Sequence, residues 1–533
     1  MKSNAFKYLF AIFVIALIGF AVYKIYNDKE NEKNNNIVTE SKNEEPKILN
    51  DLRMGIVEFD TMNPILSKNK NVQEISKLIF ESLLTIDENY KLQNCLVKEW
   101  SKTEETSYLL KLRDDVKWHD GSKFTAKDVQ FTIDRLKEIP SIYAYNVQHV
   151  IGVEIIDDYT VKINLDMPVQ YFEYNLTFPI MSNSHYLGQD FSNSNINVIP
   201  VATGMYKVTN VDGTNITLKK NQNWWNWKEK NTKIETITIS IYSSMGEIYN
   251  AFKIGNLDLV TTQSLNVEEY IGTIGFNSKE IKGREHDFLA FNCNDNILSR
   301  LEVRKAIDYA IDKNAIISNV YSGKYYISDF PLDYGSWLYS SEAGSIGFNP
   351  EQSKQILIDN GWQYKNKVWQ KTENYRTIRL SLNIVVNSEN DKRVAVANII
   401  KSNLETIGIN VKLINVNGST YYNYLQNKNY ESILTGINSS ISPNLTTFFG
   451  ENNLANYYND ESLRIMKEVS NITEENVLKE KYKRLSEIYK LDVPYISLYN
   501  NRATLLYSKN LMGDIKPNNF NIFYNIENWY REF

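Results

Sequence analysis

Cysteine and histidine are scarce in this 533-residue chain, with two and four copies. Cys95 and Cys293 cannot make a disulfide scaffold or a cysteine-only zinc site. His119, His149, His185 and His286 are scattered and include no HExxH and no His-x-His pair. A basic excess is also missing. The formal net charge of −5 excludes the positive footprint of a dedicated nucleic-acid binder. No repeat of fixed period is present, which removes solenoids and propellers. Neither a P-loop nor a Rossmann glycine fingerprint occurs, and Asn292–Asn296 does not keep the EF-hand pattern, so no cofactor or metal is expected. Disorder is excluded by ordinary globular usage, 42% apolar and 23% charged. The length suits two to four domain-sized lobes. Tyrosine (36) exceeds phenylalanine (22). That surplus suits wet interfaces and ligand clefts as well as half-buried strands.

At the N-terminus, residues 8–23 form an uncharged apolar run, preceded by Lys2 and Lys7 and closed by Lys24. The run is shorter than the ~20 residues that cross a bilayer, but flanking lysines and tyrosines can snorkel. It reads as an uncleaved signal anchor, or else as a signal peptide cut after Ala21. No cysteine follows before Cys95, so lipid attachment at a processed N-terminal cysteine is not available. Residues 27–47 have almost no apolar content and read as a polar tether. Residues 1–26 hold three lysines and no acid, so the remainder carries −8. Such a domain is not drawn to an anionic bilayer. The chain is expected at the outer face of the cell membrane, as a monomer, or secreted if cleaved.

Strand and helix signals are mixed throughout. Asp120-Gly121 supplies a tight turn after a strand near Tyr108–Leu112, and Thr125 with Asp128 can cap the helix that follows. Val153–Ile156 and Thr160–Leu165 read as a hairpin. Ser299-Arg300-Leu301-Glu302 has the form of a capping box. Asn349-Pro350 starts another helix, and Gly323 and Gly361 suit helix ends. Thr377–Val386, Lys392–Ile407 and Ile409–Ile414 predict a β-α-β unit with a parallel pair.

Five segments, in this order, resemble the family-5 extracellular solute-binding proteins, the oligopeptide- and dipeptide-binding components of ABC importers. They are Leu83–Trp100 with Leu109–Arg135 (LLKLRDDVKWHDGSKFTAKDVQFTIDR), Ala202–Tyr206 (ATGMY), Leu218–Trp225 (LKKNQNWW), Val303–Ile311 (VRKAIDYAI) and Val493–Arg502 (VPYISLYNNR). The resemblance covers residues 50–533. It implies a mixed α/β, two-lobed, three-domain clamp. One lobe would comprise 48–86, 186–285 and 497–533, an inserted small domain 87–185, and the other lobe 286–496. Closure would bury a peptide or other small solute and present a surface to ABC permease subunits.

The resemblance also implies the cleft. Asn71, Val72 and Gln73 would offer backbone to an extended ligand, Tyr143 would face the cleft, and Thr203, Gly204 and Met205 would form its wall. Ser497, Leu498 and Tyr499 would make the second lobe crossing. Related binders pin a peptide's ammonium with an aspartate in the loop after the strand ending near Gly436. Here that loop offers Ile437, Asn438 and Ser439, and no carboxylate as far as Ser442. An unpaired buried ammonium costs several kcal/mol. A free peptide N-terminus held in the usual way is therefore not expected; a longer or capped peptide, or another uncharged solute end, fits better.

Other motifs read as structure. His119 and Asp120 are adjacent on a turn and point apart, so they form no dyad. Trp224, Trp225 and Trp227 suit packing rather than a stacking platform, and Asp114-Asp115 and Asp157-Asp158 suit solvated turns. The expected function is solute capture for an ABC importer, without catalysis. The alternative is a membrane-tethered sensor built on the same clamp.

Overall fold

The computed structural model describes residues 16–25, 29, 48–193, 195–264, 266, 275–340 and 346–532. Residues 16–25 are an exposed helix. Among the described residues no helix is long and apolar enough to cross a membrane. Half of the apolar run expected to anchor the chain, residues 8–15, and nearly all of the tether lie outside the described residues.

Asn50–Arg531 is one compact unit. Its spine is a mixed sheet. The strands, in chain order, are β1 (Asp51–Val57), β2 (Tyr206–Val211), β3 (Asn215–Lys220), β4 (Thr236–Tyr242) and β5 (Leu259–Thr262). They are followed by β6 (Phe276–Phe291), β7 (Ser381–Asn387), β8 (Asn410–Val416), β9 (Ser432–Asn438) and β10 (Tyr495–Ser508). Across the sheet they run β8-β7-β9-β6-β10-β5-β1-β4-β3-β2. On β1 the residues alternate, and Leu52, Met54 and Ile56 point into the core. β10 is buried at nearly every position because it is central and covered on both faces.

The predicted β-α-β unit forms. β7 and β8 pair in parallel, joined by the helix Asp391–Thr406, and Gly408 ends the connection at φ 88°. The predicted strand Thr377–Val386 divides instead. Arg376–Arg379 joins a small three-stranded sheet, and β7 begins only at Ser381, after fully buried Leu380. The helix expected behind Ser299 starts at Leu301 with Arg300 as its cap, so that capping box does not form. Thr125 and Asp128 do form theirs, and Asn349 accepts from the Gln352 N–H at 3.0 Å. The hairpin of residues 150–157 and 160–165 belongs to a four-stranded antiparallel sheet.

Buried apolar groups gather in separate cores. One joins Leu52, Ile75, Tyr206 and Ile237 to Leu110, Val129 and Ile163 of the four-stranded sheet and its helix. A second lies around Val303, Leu382, Ile384 and Ile400. A third is aromatic, with Phe288 edge-on to Phe448 and to Tyr495 at 5.3 and 5.7 Å. Tyr90, Tyr171 and Tyr174 enter this third core from the N-terminal side of the chain, and the Tyr171 and Tyr482 hydroxyls meet at 2.9 Å.

Candidate binding cleft

β6 and β10 are 16 and 14 residues long and antiparallel, and they lose register midway. Lys282 faces Arg502 and His286 faces Asn500, so Gly283, Arg284 and Glu285 stand opposite Asn501 alone. Such a bulge bends the strand and re-aims its side chains. A Cβ on Gly283 would lie 1.8 Å from the Asn501 amide oxygen, which instead accepts from the Glu285 N–H at 3.0 Å. Arg284 donates from Nε to the Ser439 carbonyl at 2.7 Å, and the Ser439 N–H donates back to the Arg284 carbonyl at 2.8 Å. The loop after β9 is thereby fastened to the bulge.

A cavity of about 870 Å³ opens at this junction. That size suits a small-molecule or short-peptide site. Met54–Ile56 of β1, all of β5, the start of the helix Lys70–Ile79, and the bulge line it, together with Asn438, Asn501, Ala503, Asn518 and Asn519. Lys70, Glu74, Arg284 and Glu285 place both signs of charge on its wall.

Of the residues expected from the sequence, Asn71 and Asn438 line this cavity. Gln73 and Tyr143 meet each other, the Tyr143 hydroxyl donating to the Gln73 amide oxygen at 2.6 Å. Gln73 also donates to the Pro64 and Ser67 carbonyls, and it is Ile142, not Tyr143, that reaches the cavity wall. Val72, Thr203 and Met205 are buried. A Cβ on Gly204 would sit 2.4 Å from the Ile79 carbonyl oxygen, so the backbone it approaches closely is the end of the helix Lys70–Ile79. Ile437 is half-buried and Ser439 buried. Ser497 bonds Tyr489, Leu498 is fully buried, and the Tyr499 hydroxyl donates to Asp287 at 2.9 Å. On β10 the cavity-lining residues are Asn501 and Ala503, beyond the segment expected. The polar run Lys282-Gly283-Arg284-Glu285-His286-Asp287, just before the apolar end Phe288–Phe291 of β6, was the sequence signal for the missed part.

The Trp118–Asp120 turn is structural. The His119 N–H donates to the Ala202 carbonyl and its Nε2 to the Gly204 carbonyl at 3.1 Å, while Asp120 accepts from Ser122. Burial pulls the His119 imidazole down to about 4. Trp224 and Trp225 both donate their indole N–H to Glu81 at 3.0 Å, and Arg113 stacks 3.9 Å above Trp225. Burial raises the Glu81 carboxyl to about 7 in spite of these donors and Thr203. A carboxyl raised on folding favours the folded state fully below its unfolded value, near 4.5, and that stability is lost as pH rises through about 7. Glu81→Gln is expected to remove a pH-dependent loss on the order of 3 kcal/mol between pH 5 and 8. Urea unfolding of both proteins at the two pH values measures it, and parallel pH profiles would refute it.

The family model for bacterial extracellular solute-binding proteins, family 5 (middle), matches residues 91–457. The oligopeptide-binding protein AppA of Bacillus subtilis is 23% identical over 504 residues, covering 90% of this chain and 91% of the relative. A dipeptide-binding protein of Pseudomonas aeruginosa is 23% identical over 81% of this chain and 86% of its own. Among solved structures, HbpA2 from Haemophilus parasuis superposes with a TM-score of 0.76 at 21% identity, over 89% of this chain and 99% of that one. The mixed α/β fold is shared with it, and the match across residues 91–457 places the chain in the family: it belongs to the bacterial extracellular solute-binding proteins, family 5.

Proposed function

We propose that this chain captures peptide-like solutes in the cavity at the β6–β10 bulge and delivers them to the permease of an ABC importer. The observation that carries this reading is a ligand-sized cavity lined from β1, β5, the bulge and Asn438 at once, in a chain of a solute-binding family. The relatives named for oligopeptides and dipeptides support the solute class. A sensor built on the same clamp gains no support from the comparisons. The lobes would be those expected from the sequence, with the crossings shifted to Gly283–Glu285 and Asn501, where the ladder is broken.

Closure about that bulge gives the test. A peptide that binds is expected to reduce the small-angle scattering radius and raise the melting temperature by mass action. Micromolar binding with an unchanged radius would count against the clamp. The N-terminal run is proposed as an anchor with residues 27–47 as its tether. Full-length protein should then fractionate with membranes, need detergent for release, and be freed as a folded domain by cleavage within 27–47. Mature protein beginning at Val22 in the medium would show that Ala21 ends a signal peptide instead.

A further inference from the structure

Where the sequence offered no acid for a ligand's ammonium, the structure sets a cation. Arg284 lines the cavity and is held to Ser439, in the loop in question, by its side-chain Nε and by its backbone carbonyl. Among the described residues no carboxylate lies within ion-pair distance of its guanidinium, and the Ser439 carbonyl is its one side-chain acceptor. Glu74 and Glu285 line the same cavity, but Glu74 pairs with Lys77 at 3.2 Å. The acid that acts on Arg284 electrostatically, Asp333, already accepts from the Tyr90 hydroxyl at 2.9 Å and the Gly335 N–H at 2.8 Å. A half-buried guanidinium without an anion is costly, and burial pulls its pKa below the ordinary arginine value.

Two further groups on the cavity wall are unsatisfied. The Asn518 amide nitrogen and the Asn519 amide oxygen are buried without a partner among the described residues. Asn519 is not free to turn, because its nitrogen donates to the Tyr90 hydroxyl and to the Lys282 carbonyl at 2.9 Å. Lys282 and Arg284 flank Gly283, so the Lys282 carbonyl holds Asn519 beside the bulge, with Asn518 next to it in the chain. The free set is guanidinium donors, one amide donor and one amide acceptor. A carboxylate with an adjacent N–H, as at the C-terminus of a peptide, supplies the complement of each.

We propose that Arg284, with Asn518 and Asn519, forms a carboxylate-binding subsite in this cleft, so that the solute is selected for an anionic end. The subsite deepens the peptide reading above and rests on it only for the choice of peptide. It also locates the ligand's charge: the loop after β9 meets the acid end of the solute, not the ammonium.

Calorimetry and thermal shift with four probes test it: trialanine, its C-terminal amide, N-acetyl-trialanine and glutarate. The free acid is expected to bind roughly ten- to a hundred-fold more tightly than the amide, with acetylation making little difference. Arg284→Met should abolish the acid preference, and Arg284→Lys should keep part of it. Equal binding of acid and amide, or a preference that survives in Arg284→Met, would overturn the subsite and leave the peptide reading standing. Binding of glutarate alone, lost in Arg284→Met, would do the reverse. If none of the four probes raises the melting temperature, both readings fall. A readout without ligand stands beside these. Unliganded Arg284→Met should melt close to the parent, because removal of an unpaired cation offsets the lost Nε bond to the Ser439 carbonyl, and the Ser439 N–H keeps its bond to the residue-284 carbonyl. A clear fall would show that Arg284 is a structural residue and overturn the proposal.

Discussion

Arg304→Met is expected to lower stability by about 3–5 kcal/mol, because a buried polar hub would be left without its donor. Arg304 lies on the helix Leu301–Ala310, within the VRKAIDYAI segment, and is only 6% exposed. Its Nε and Nη2 donate to the Asp492 carbonyl at 3.0 and 2.6 Å, and its Nη1 to the Leu298 carbonyl at 2.7 Å. The Val493 carbonyl receives a further bond at 3.1 Å. Asp492 ends the helix Glu475–Asp492, so a cation sits where the helix dipole is negative and the last carbonyls lack partners. The same bonds hold a strained residue. Val493 is fully buried with φ 45°, a left-handed conformation rare for a β-branched side chain. From there the chain turns into β10. Arg304→Lys keeps the charge but not the fork, and is expected to recover less than half of the loss. Urea unfolding of the three proteins measures the order. A Met variant within 1 kcal/mol of the parent would refute the hub.

Helix starts were legible because their chemistry is local: Thr125 with Asp128, and Asn349 before Pro350, each satisfy orphan N–H groups within one turn. The β7–helix–β8 unit was legible from a change of hydrophobic period. The Ser299 motif misled because Arg300 takes the cap position, one residue on. Cleft residues were the least legible, and β10 shows why. A central strand covered on both faces has no alternation to say which residues face a cleft, so Ser497, Leu498 and Tyr499 were indistinguishable in pattern from Asn501 and Ala503. The bulge opposite Asn501 decides that, and it depends on pairing between segments more than 200 residues apart. Gly204 was expected on the cleft wall; the end of the helix Lys70–Ile79, which its backbone approaches, was invisible in the sequence.

Arg393→Met should cost about 3–5 kcal/mol, and the double variant Asp287→Asn/Arg393→Met should lose clearly less than that single change. Arg393 reaches from the helix Asp391–Thr406 to β6 and grips Asp287 with two bonds of 2.8 Å. Asp287 is 7% exposed and, among the described residues, has one other side-chain donor, the Tyr499 hydroxyl, so removing the guanidinium strands a carboxylate in the interior. Asparagine at 287 keeps an acceptor for Tyr499 without a charge. The sequence has already made room for the pair. A Cβ on Gly436 would fall 1.9 Å from the Asp287 Oδ1 and 2.3 Å from the Arg393 Nη2, so glycine is required there by side chains of two other elements. Asp287 follows the bulge by two residues on β6, and Gly436 precedes Asn438 by two on β9. The clasp thus sets the spacing of the strands that carry Arg284 and Asn438 into the cavity. Arg393→Met should therefore also weaken trialanine binding, although Arg393 does not line the cavity. Unfolding curves for the two singles and the double, with calorimetry on each folded variant, separate the effects. Additive losses of stability would mean that the two residues act independently and that the clasp is not the source of the cost.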